Sequence, residues 1–569
     1  MQPVPPTWSV RPPASPEELA RFAPLPPLAA QALLNRGLHD GAEAEEFLHP
    51  DYRRLADPMQ MKGMAIATER IGRALAAGEL ITVYGDFDAD GVTSATLLVQ
   101  SLRQMGGQQV ECYIPHRVEE GYGLNCDAVE GLAQGGTRLL ITVDCGISNA
   151  AEIARANELG VDVIVSDHHL PPDVLPPALA ILNPRQADCA YPFKRLAGVG
   201  IAFTLVRGLA KAGVARNDLR GRDLLDLVAL GTVADVAPLV GENRILVARG
   251  LEVLRKTERP GLRALMEAAG VRRERVDTGT IGFILGPRLN AAGRLTHAIS
   301  AFRLLQASSM AEATPLANEL DALNRERQEL TNVVLERARE MVLALPEERR
   351  VIVLADADFP AGVVGLVAGK LVEEFYRPTL VVELGPQESR GSARSPGAFH
   401  ITEALHECSD LLTRFGGHRV AAGFTVPNAN LPALEERLHA LAETQLDAAA
   451  RTPTLYIDAE AHLADLNWDL IAALEGMAPF GIENPHPVFL CPQVKVTRTR
   501  RMGRESEHLR LTVSDGRLSL DAIGWRMGAR EGQCWVGGFV DLVCTLEANT
   551  WNGERRLELQ VRDLRPGGS

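Results

Sequence analysis

Between about residues 66 and 240 the chain alternates short apolar runs with longer amphipathic stretches. LITVYGDFD, QVECYIPH, LLITVDCG, VDVIVSDHH and PALAILNP are the apolar runs, and SATLLVQSLRQMG and AAEIARANELG are among the helical ones. Short strands separated by helices of ten or more residues predict βαβ units and a parallel sheet. Ahead of them, residues 1–50 are Pro-rich and then helical in pattern, a small helical preface. Across 301–345 apolar residues recur at helical spacing without a glycine. One long connecting helix is expected there, with Pro315 in its first turn. A second α/β unit follows, and from about 453 the pattern turns to strict alternation broken by DG and NG pairs, which predicts a small β-barrel or sandwich. The expected division is 1–50, 51–300, 301–345, 346–447 and 448–569.

A chain of 569 residues is too long for a single core, which agrees with several domains. Its 46% hydrophobic and 23% charged content is that of an ordinary globular protein. No apolar run approaches the ~20 residues that cross a bilayer, and MQPVPPTWSVRPPAS has no signal-peptide pattern. Eight cysteines without a CxxC pair read as core residues in a reducing cytoplasm. The net charge of −14 excludes a polycation that coats nucleic acid, so any basic binding surface has to be local.

Several predicted strands end in metal-type ligands. GDFDADG carries Asp86, Asp88 and Asp90; ITVDCGI carries Asp144; IVSDHHL carries Asp167, His168 and His169; and LGTVADVAPL carries Asp235. Asp90 alone would serve as the cap of the helix beginning GVTSATLL. Together, carboxylates brought this close raise one another's pKa unless a cation neutralises them. Asp and His without thiolates suit Mn²⁺ or Mg²⁺, and a pair of such ions bridged by a shared carboxylate is the usual device for displacement at phosphorus.

Basic residues beside Gly-rich turns are the phosphate-binding candidates. They are Arg117 with Tyr122 as a possible base platform, Arg288, Asn290, Arg294 and His297 in GPRLNAAGRLTH, Ser392 and Arg394 in GSARSP, and His418 in GGHRVAAG. A basic concentration at Lys495, Arg498, Arg500, Arg501, Arg504 and Arg510, with Trp525 nearby in sequence, fits a groove-and-stacking surface for single strands. LADAD (354–358) reads as a turn and cap, and APFGIENPHPVF (478–489) as an ordered linker.

DFDADG, VDCG, SDHH and GGHRVAAG, in that order, resemble the DHH phosphoesterase superfamily, and over nearly the whole chain its branch of single-strand-specific 5′→3′ DNA exonucleases. The resemblance implies a parallel-sheet DHH catalytic domain, a long helix, a smaller α/β DHH-associated domain and an all-β OB-fold domain that binds single-stranded DNA. It implies a two-metal site of Asp88, Asp90, Asp144, His168 and Asp235, with Asp144 bridging and Asp86 beside it. His169 is the residue implied to act near the scissile phosphate or leaving group, Arg294 the one close to that phosphate, and Arg117, Ser392 and Arg394 the holders of the 5′-phosphate. Tyr84 stands where many members have a His ligand, so one metal would lean on Asp86 or water. Action in recombination and repair, partners such as a single-strand-binding protein and a RecQ-type helicase, and a monomeric state follow from the same resemblance. Two other readings are a DHH phosphodiesterase of short oligonucleotides or cyclic dinucleotides, and a non-catalytic strand-binding subunit. The C-terminal β domain argues against the first and the intact ligand set against the second.

Overall fold

The computed structural model describes residues 4–117, 119–214, 221–447, 449–551 and 554–567. The chain forms two compact units, one spanning Arg54–Pro453 and the other joining Pro6–Arg53 to Thr454–Ser569.

The first unit begins with five parallel strands: β1 (Ile81–Gly85), β2 (Val110–Tyr113), β3 (Leu139–Val143), β4 (Asp162–Ser166) and β5 (Ala180–Leu182), in the spatial order β2-β1-β3-β4-β5. Every residue of β1 and β3 is buried, as expected of a parallel sheet covered by helices on both faces. The chain leaves β1 toward one edge and returns at β3 to build toward the other. The carboxyl ends of these two strands therefore flank the crevice where open α/β sheets bind ligands. Four helices frame this crevice: α1 (Ala89–Gln104), α2 (Gly198–Lys211), α3 (Leu225–Ala234) and α4 (Gly286–Leu295).

The expected single helix over 301–345 is two. A helix over Ile299–Gln306 stops at Ala307, whose backbone turns extended, and Ser309 caps a new helix, α5 (Met310–Leu343). Pro315 consequently lies inside α5 and not in its first turn. Val334, Leu335, Ala338 and Val342 of α5 enter the core under one face of the second sheet. That sheet contains β6 (Ile352–Asp356), β7 (Thr379–Glu383), β8 (Glu388–Arg394), β9 (Arg414–His418) and β10 (Ala421–Pro427), ordered β9-β10-β8-β7-β6. Only β6 and β7 run parallel. Val381 packs with α5 and with α6 (Ala361–Phe375), while Leu380 and Val382 face the opposite core. LADAD, expected as a turn and cap, instead ends β6 with its first three residues and turns only at Ala357 and Asp358, and α6 starts after Pro360 without a side-chain cap. Asp356 accepts from the Asp358 amide, and Arg337 of α5 pairs with both carboxylates.

In the second unit β11 (Phe489–Met502), β12 (His508–Ser514), β13 (Ser519–Gly524), β14 (Phe539–Trp551) and β15 (Glu554–Pro566) pair in the order β11-β12-β13-β15-β14, and β14 returns to β11 to close a five-stranded barrel. This is the OB arrangement. The N-terminal segment belongs to the same core. Phe22, Ala29, Ala30 and Leu33 pack with Leu470, Leu474 and Phe489, and the strand Thr7–Val10 runs parallel to Thr454–Ile457. Asn484 is fully buried and its amide donates to the carbonyls of Met477 and Pro479, which orders the Pro-rich linker.

Candidate metal and phosphate site

At the carboxyl ends of β1, β3 and β4 the structure gathers Asp86, Asp88, Asp90, Asp144, His168, His169 and, from the end of α3, Asp235. They form three overlapping groups: Asp86–Asp88–Asp144, Asp144–His168–His169 and Asp90–His168–Asp235, each with its ligand atoms within 4.8 Å of one another. Asp144 and His168 each belong to two groups, so these two side chains sit at the junction of the cluster.

Local backbone choices place these groups. Asp88, not Asp90, is the cap of α1, accepting from the Asp90 and Gly91 amides at 2.8 and 3.1 Å. The helix thus begins two residues earlier than a cap at Asp90 would give, and the Asp90 carboxylate in its first turn faces inward. There it accepts from the Gly198 and Val199 amides at 2.7 and 2.8 Å, at the positive end of α2. Asp144 adopts a left-handed conformation (φ 63°) immediately after β3, which swings its carboxylate across the sheet edge. A Cβ at Gly198 would lie 2.8 Å from Asp144 Oδ1, and one at Gly231 would lie 2.9 Å from Asp90 Oδ1, so both helices approach only as glycine.

The electrostatics of the cluster are those of side chains arranged to receive a cation. Burial, followed by repulsion from neighbouring aspartates, raises the carboxyl groups of Asp86, Asp144 and Asp235 well above the usual range and lifts Asp90 to about 7. Burial and His169 push the His168 imidazole down to about 3, leaving it neutral with a lone pair. Asp144 Oδ1 and His168 Nε2 approach to 3.1 Å, yet neither has a hydrogen-bond partner, nor does Asp86 Oδ1. Two ligand atoms that meet without hydrogen-bond alignment share a common focus. Buried lone pairs of this kind, all oxygen or imidazole nitrogen, fit hard divalent ions.

Asp167 differs from its expected part, whereas Tyr84 stays out of the ligand set as expected. Asp167 stands in SDHH as a metal-type residue, but its fully buried carboxylate turns away from the cluster. It accepts from the His169 amide at 3.0 Å, from His169 Nδ1 at 2.7 Å and from the Ile147 amide at 3.0 Å, so it orients the imidazole. Burial alone would lower the His169 pKa; the hydrogen bond and charge of Asp167 outweigh it and the net shift is upward. Tyr84 is wholly buried, stacks on Tyr113 at 5.0 Å and donates its hydroxyl to the Gly123 carbonyl at 3.0 Å, away from the cluster. Asp86 remains as the carboxylate on that side.

Tyr122 donates to the Asp144 carbonyl at 3.2 Å and lies 3.1 Å from His169 Nδ1, so it braces the histidine while leaving its ring 5.5 Å from the imidazole. From the second lobe of the same unit, His418 stacks on His169 at 5.4 Å with the rings 16° apart. Arg117 lies over the Phe87 ring at 4.8 Å. Ser392 and Arg394 share a face of β8 and converge over Gly365 of α6, where an added Cβ would meet Arg394 Nη2 at 3.0 Å and Ser392 Oγ at 3.2 Å. Arg294 reaches the Gly362 carbonyl at 3.4 Å. Burial and the nearby charges of Arg117, Arg327 and Arg394 lower the Arg294 guanidinium to about 9. Arg288 and Asn290 are engaged within the protein. Arg288 is held by Asp321 at 2.9–3.0 Å and by the Ile284 carbonyl at 2.7 Å, and Asn290 accepts from the Ala89 amide at 2.7 Å. His297 lies edge-on to His116 at 5.6 Å.

In the barrel, Lys495, Arg498, Arg500 and Arg504 are exposed on the β11–β12 hairpin, whereas Arg501 pairs with Glu531 and Arg510 with Asp521. Trp525, Trp535 and Phe539 present exposed aromatic surface. Among the described residues no helix is long and apolar enough to cross a membrane.

A five-stranded parallel sheet with this acidic edge, followed by a mixed-sheet lobe that faces it, defines a DHH-type protein. Residues 80–232 match the model of the DHH family N-terminal domain and 348–445 that of the DHHA1 domain. Residues 457–563 match the RecJ OB domain, and the chain belongs to the RecJ family. It is 39% identical to the single-stranded-DNA-specific exonuclease RecJ of Bacillus subtilis over 94% of this chain and 68% of that one. It is 34% identical to the RecJ of Escherichia coli over 96% of each. The crystal structure of Thermus thermophilus RecJ in complex with Mn²⁺ superposes with a TM-score of 0.85 at 33% identity, covering 99% of this chain and 80% of that one.

Proposed function

We infer that the protein is a divalent-metal-dependent 5′→3′ exonuclease that degrades single-stranded DNA to 5′-mononucleotides in recombination and repair. The observation that carries this reading is the cluster of buried, unpartnered lone pairs on Asp86, Asp144 and His168 at the sheet's switch point. Asp86, Asp88, Asp90, Asp144, His168 and Asp235 would hold two ions, Mn²⁺ or Mg²⁺. Bound there, the ions supply Lewis-acid polarisation of the phosphoryl group and lower the pKa of water.

The protein's own groups do the rest. Arg117, Ser392 and Arg394 hold the 5′-phosphate, so that only the first linkage reaches the acidic cluster. Arg294, close to Arg117 and Arg394, binds the scissile phosphate and offsets its developing charge. His169, in its imidazolium form, keeps one proton on Nδ1 against Asp167 and gives the other from Nε2 to the departing 3′-oxygen, leaving a neutral imidazole. Water adds to phosphorus and the P–O3′ bond breaks. A 5′-mononucleotide leaves, and the shortened strand carries a new 5′-phosphate that refits the same arginines. The exposed arginines and aromatics of the OB barrel suit a strand bound without sequence preference.

The family resemblance extends the reading to a cytoplasmic monomer that works beside a single-strand-binding protein and a RecQ-type helicase. Incubation with Mn²⁺ and a long single strand labelled at either end tests the central claim. Mononucleotides released from the 5′ end are expected. Turnover restricted to di- to pentanucleotides would move the protein to the short-oligonucleotide phosphodiesterases, and no turnover by folded, metal-loaded protein would leave a binding subunit.

A further inference from the structure

The proton donor of the leaving-group step stands on backbone that the sheet does not hold. β4 pairs with β3 and β5 only as far as Ser166, so His169 lies beyond the last strand pair. The chain that follows carries Pro171, Pro172, Pro176 and Pro177, which have no amide hydrogen to donate, and it leaves Leu170 and Val174 exposed. It rejoins the sheet at Leu179, whose amide donates to the Val163 carbonyl at 2.9 Å. Side chains therefore have to fix the histidine. Asp167 takes its amide and its Nδ1. The His169 carbonyl accepts from Asn183 Nδ2 at 2.8 Å.

Asn183 is fully buried just past β5, and its two polar atoms serve different ends. Oδ1 accepts from the Arg185 amide at 2.8 Å, a local turn that a serine or an aspartate could also form. Nδ2 takes no part in that turn and reaches 14 residues back to the His169 carbonyl. Of the residues that make such turns, only asparagine holds an amide donor beside the accepting oxygen. Peptide groups are planar, so Asp167 on the amide and Asn183 on the carbonyl pin the peptide planes on both sides of the His169 Cα. The direction of its Cα–Cβ bond is thereby set from the backbone, while Tyr122 and His418 touch the ring itself.

We propose that Asn183 is a positioning residue for the leaving-group step, holding the His169 backbone so that Nε2 meets the departing 3′-oxygen. The role rests on the exonuclease reading and on His169 as its proton donor. The Nε2 proton passes to the 3′-oxygen as the P–O3′ bond breaks, and a displaced ring leaves that oxygen to depart unprotonated.

The test is single-turnover cleavage at saturating Mn²⁺ of two 5′-phosphorylated single strands, one natural and one with sulfur in place of the 3′-oxygen at the first linkage. Sulfur leaves as a thiolate without a donor, because a thiol is a far stronger acid than an alcohol. Asn183→Ser keeps an acceptor for the Arg185 amide but is too short to reach the His169 carbonyl. It should lose about 10- to 100-fold on the natural strand, the scale of a misplaced catalytic group, and run close to wild type on the sulfur strand. Combined with His169→Ala it should bring no further loss. Asn183→Ala gives a second variant should Asn183→Ser fold poorly. Equal losses on the two strands, a loss that adds to that of His169→Ala, or a natural-strand rate equal to wild type would each overturn the proposal. A His169→Ala enzyme that keeps its defect on the sulfur strand would refute the donor role instead, and a wild type that cuts neither strand would refute the exonuclease reading.

Discussion

Replacing Asp167 by asparagine removes a charge without changing volume, and the structure allows its cost to be worked out. Asp167 serves three donors: the His169 amide and His169 Nδ1 on one oxygen, and the Ile147 amide on the other. An asparagine has one acceptor oxygen. Turned toward His169, it leaves the Ile147 amide facing an NH₂ group, an orphaned buried donor worth about 1–3 kcal/mol of stability. Turned toward Ile147, it faces two His169 donors with an NH₂ group and drives the imidazole proton from Nδ1 to Nε2. In both arrangements the anion that raises the His169 pKa is gone. Loss of a charged hydrogen bond of about 1.5–3 kcal/mol corresponds to roughly 10–100-fold in rate. Single-turnover cleavage of a 5′-labelled single strand at saturating Mn²⁺, followed from pH 6 to 9, measures it. The rate constant should fall by that factor. Its decline on the alkaline side should begin at lower pH, because a histidine stripped of its carboxylate loses its proton earlier. A rate within twofold of wild type with an unmoved alkaline limb would refute the argument. A loss that disappears on raising Mn²⁺ would return Asp167 to the metal ligands.

Gly198→Ala inserts a methyl 2.8 Å from Asp144 Oδ1, so it should cost about 1–3 kcal/mol in urea unfolding and weaken Mn²⁺ half-saturation roughly 10–100-fold. In chelator the raised carboxyls of Asp86, Asp90, Asp144 and Asp235 give a definite sign: each favours the folded state while protonated, and that stability is lost as pH rises through the folded pKa, about 7 for Asp90. The metal-free protein should therefore melt at higher temperature at pH 6 than at pH 8, and added Mn²⁺ should abolish the difference; a metal-free melting point that rises with pH contradicts the cluster's electrostatics. Arg394→Ala should reduce the preference for a 5′-phosphate over a 5′-hydroxyl strand by about 10–100-fold, and an unchanged ratio would take Arg394 out of the end-binding pocket.

The site was legible in the sequence to the extent that most of its residues sit where strands stop; Asp235, expected at a fourth strand end, instead follows the helix α3. GDFDADG, VDCG and SDHH end consecutive core strands, so a parallel sheet by itself brings them together at its carboxyl edge. Side-chain direction was not legible. The cap falls on Asp88 and not Asp90, and Asp167 points back into the sheet while the next two residues point out. These outcomes depend on φ/ψ at single loop residues, which no periodicity encodes. Arg288 looked like a phosphate candidate in sequence, and only the position of Asp321 against α4 shows that it is neutralised within the protein. The strand Thr7–Val10 was missed because four residues carry too little pattern, and its partner Thr454–Ile457 lies at the other end of the chain.

The stack of His418 on His169 makes both lobes of the first unit contribute to the surroundings of one imidazole. The acidic cluster belongs entirely to the parallel sheet and its helices, and could be filled whether or not the second lobe is in place. The imidazole is different, because one of its faces is supplied from β9. Asp167 and Tyr122 fix the ring from the sheet side while His418 covers one face from the second lobe, so a displacement of either lobe would be felt at the same imidazole.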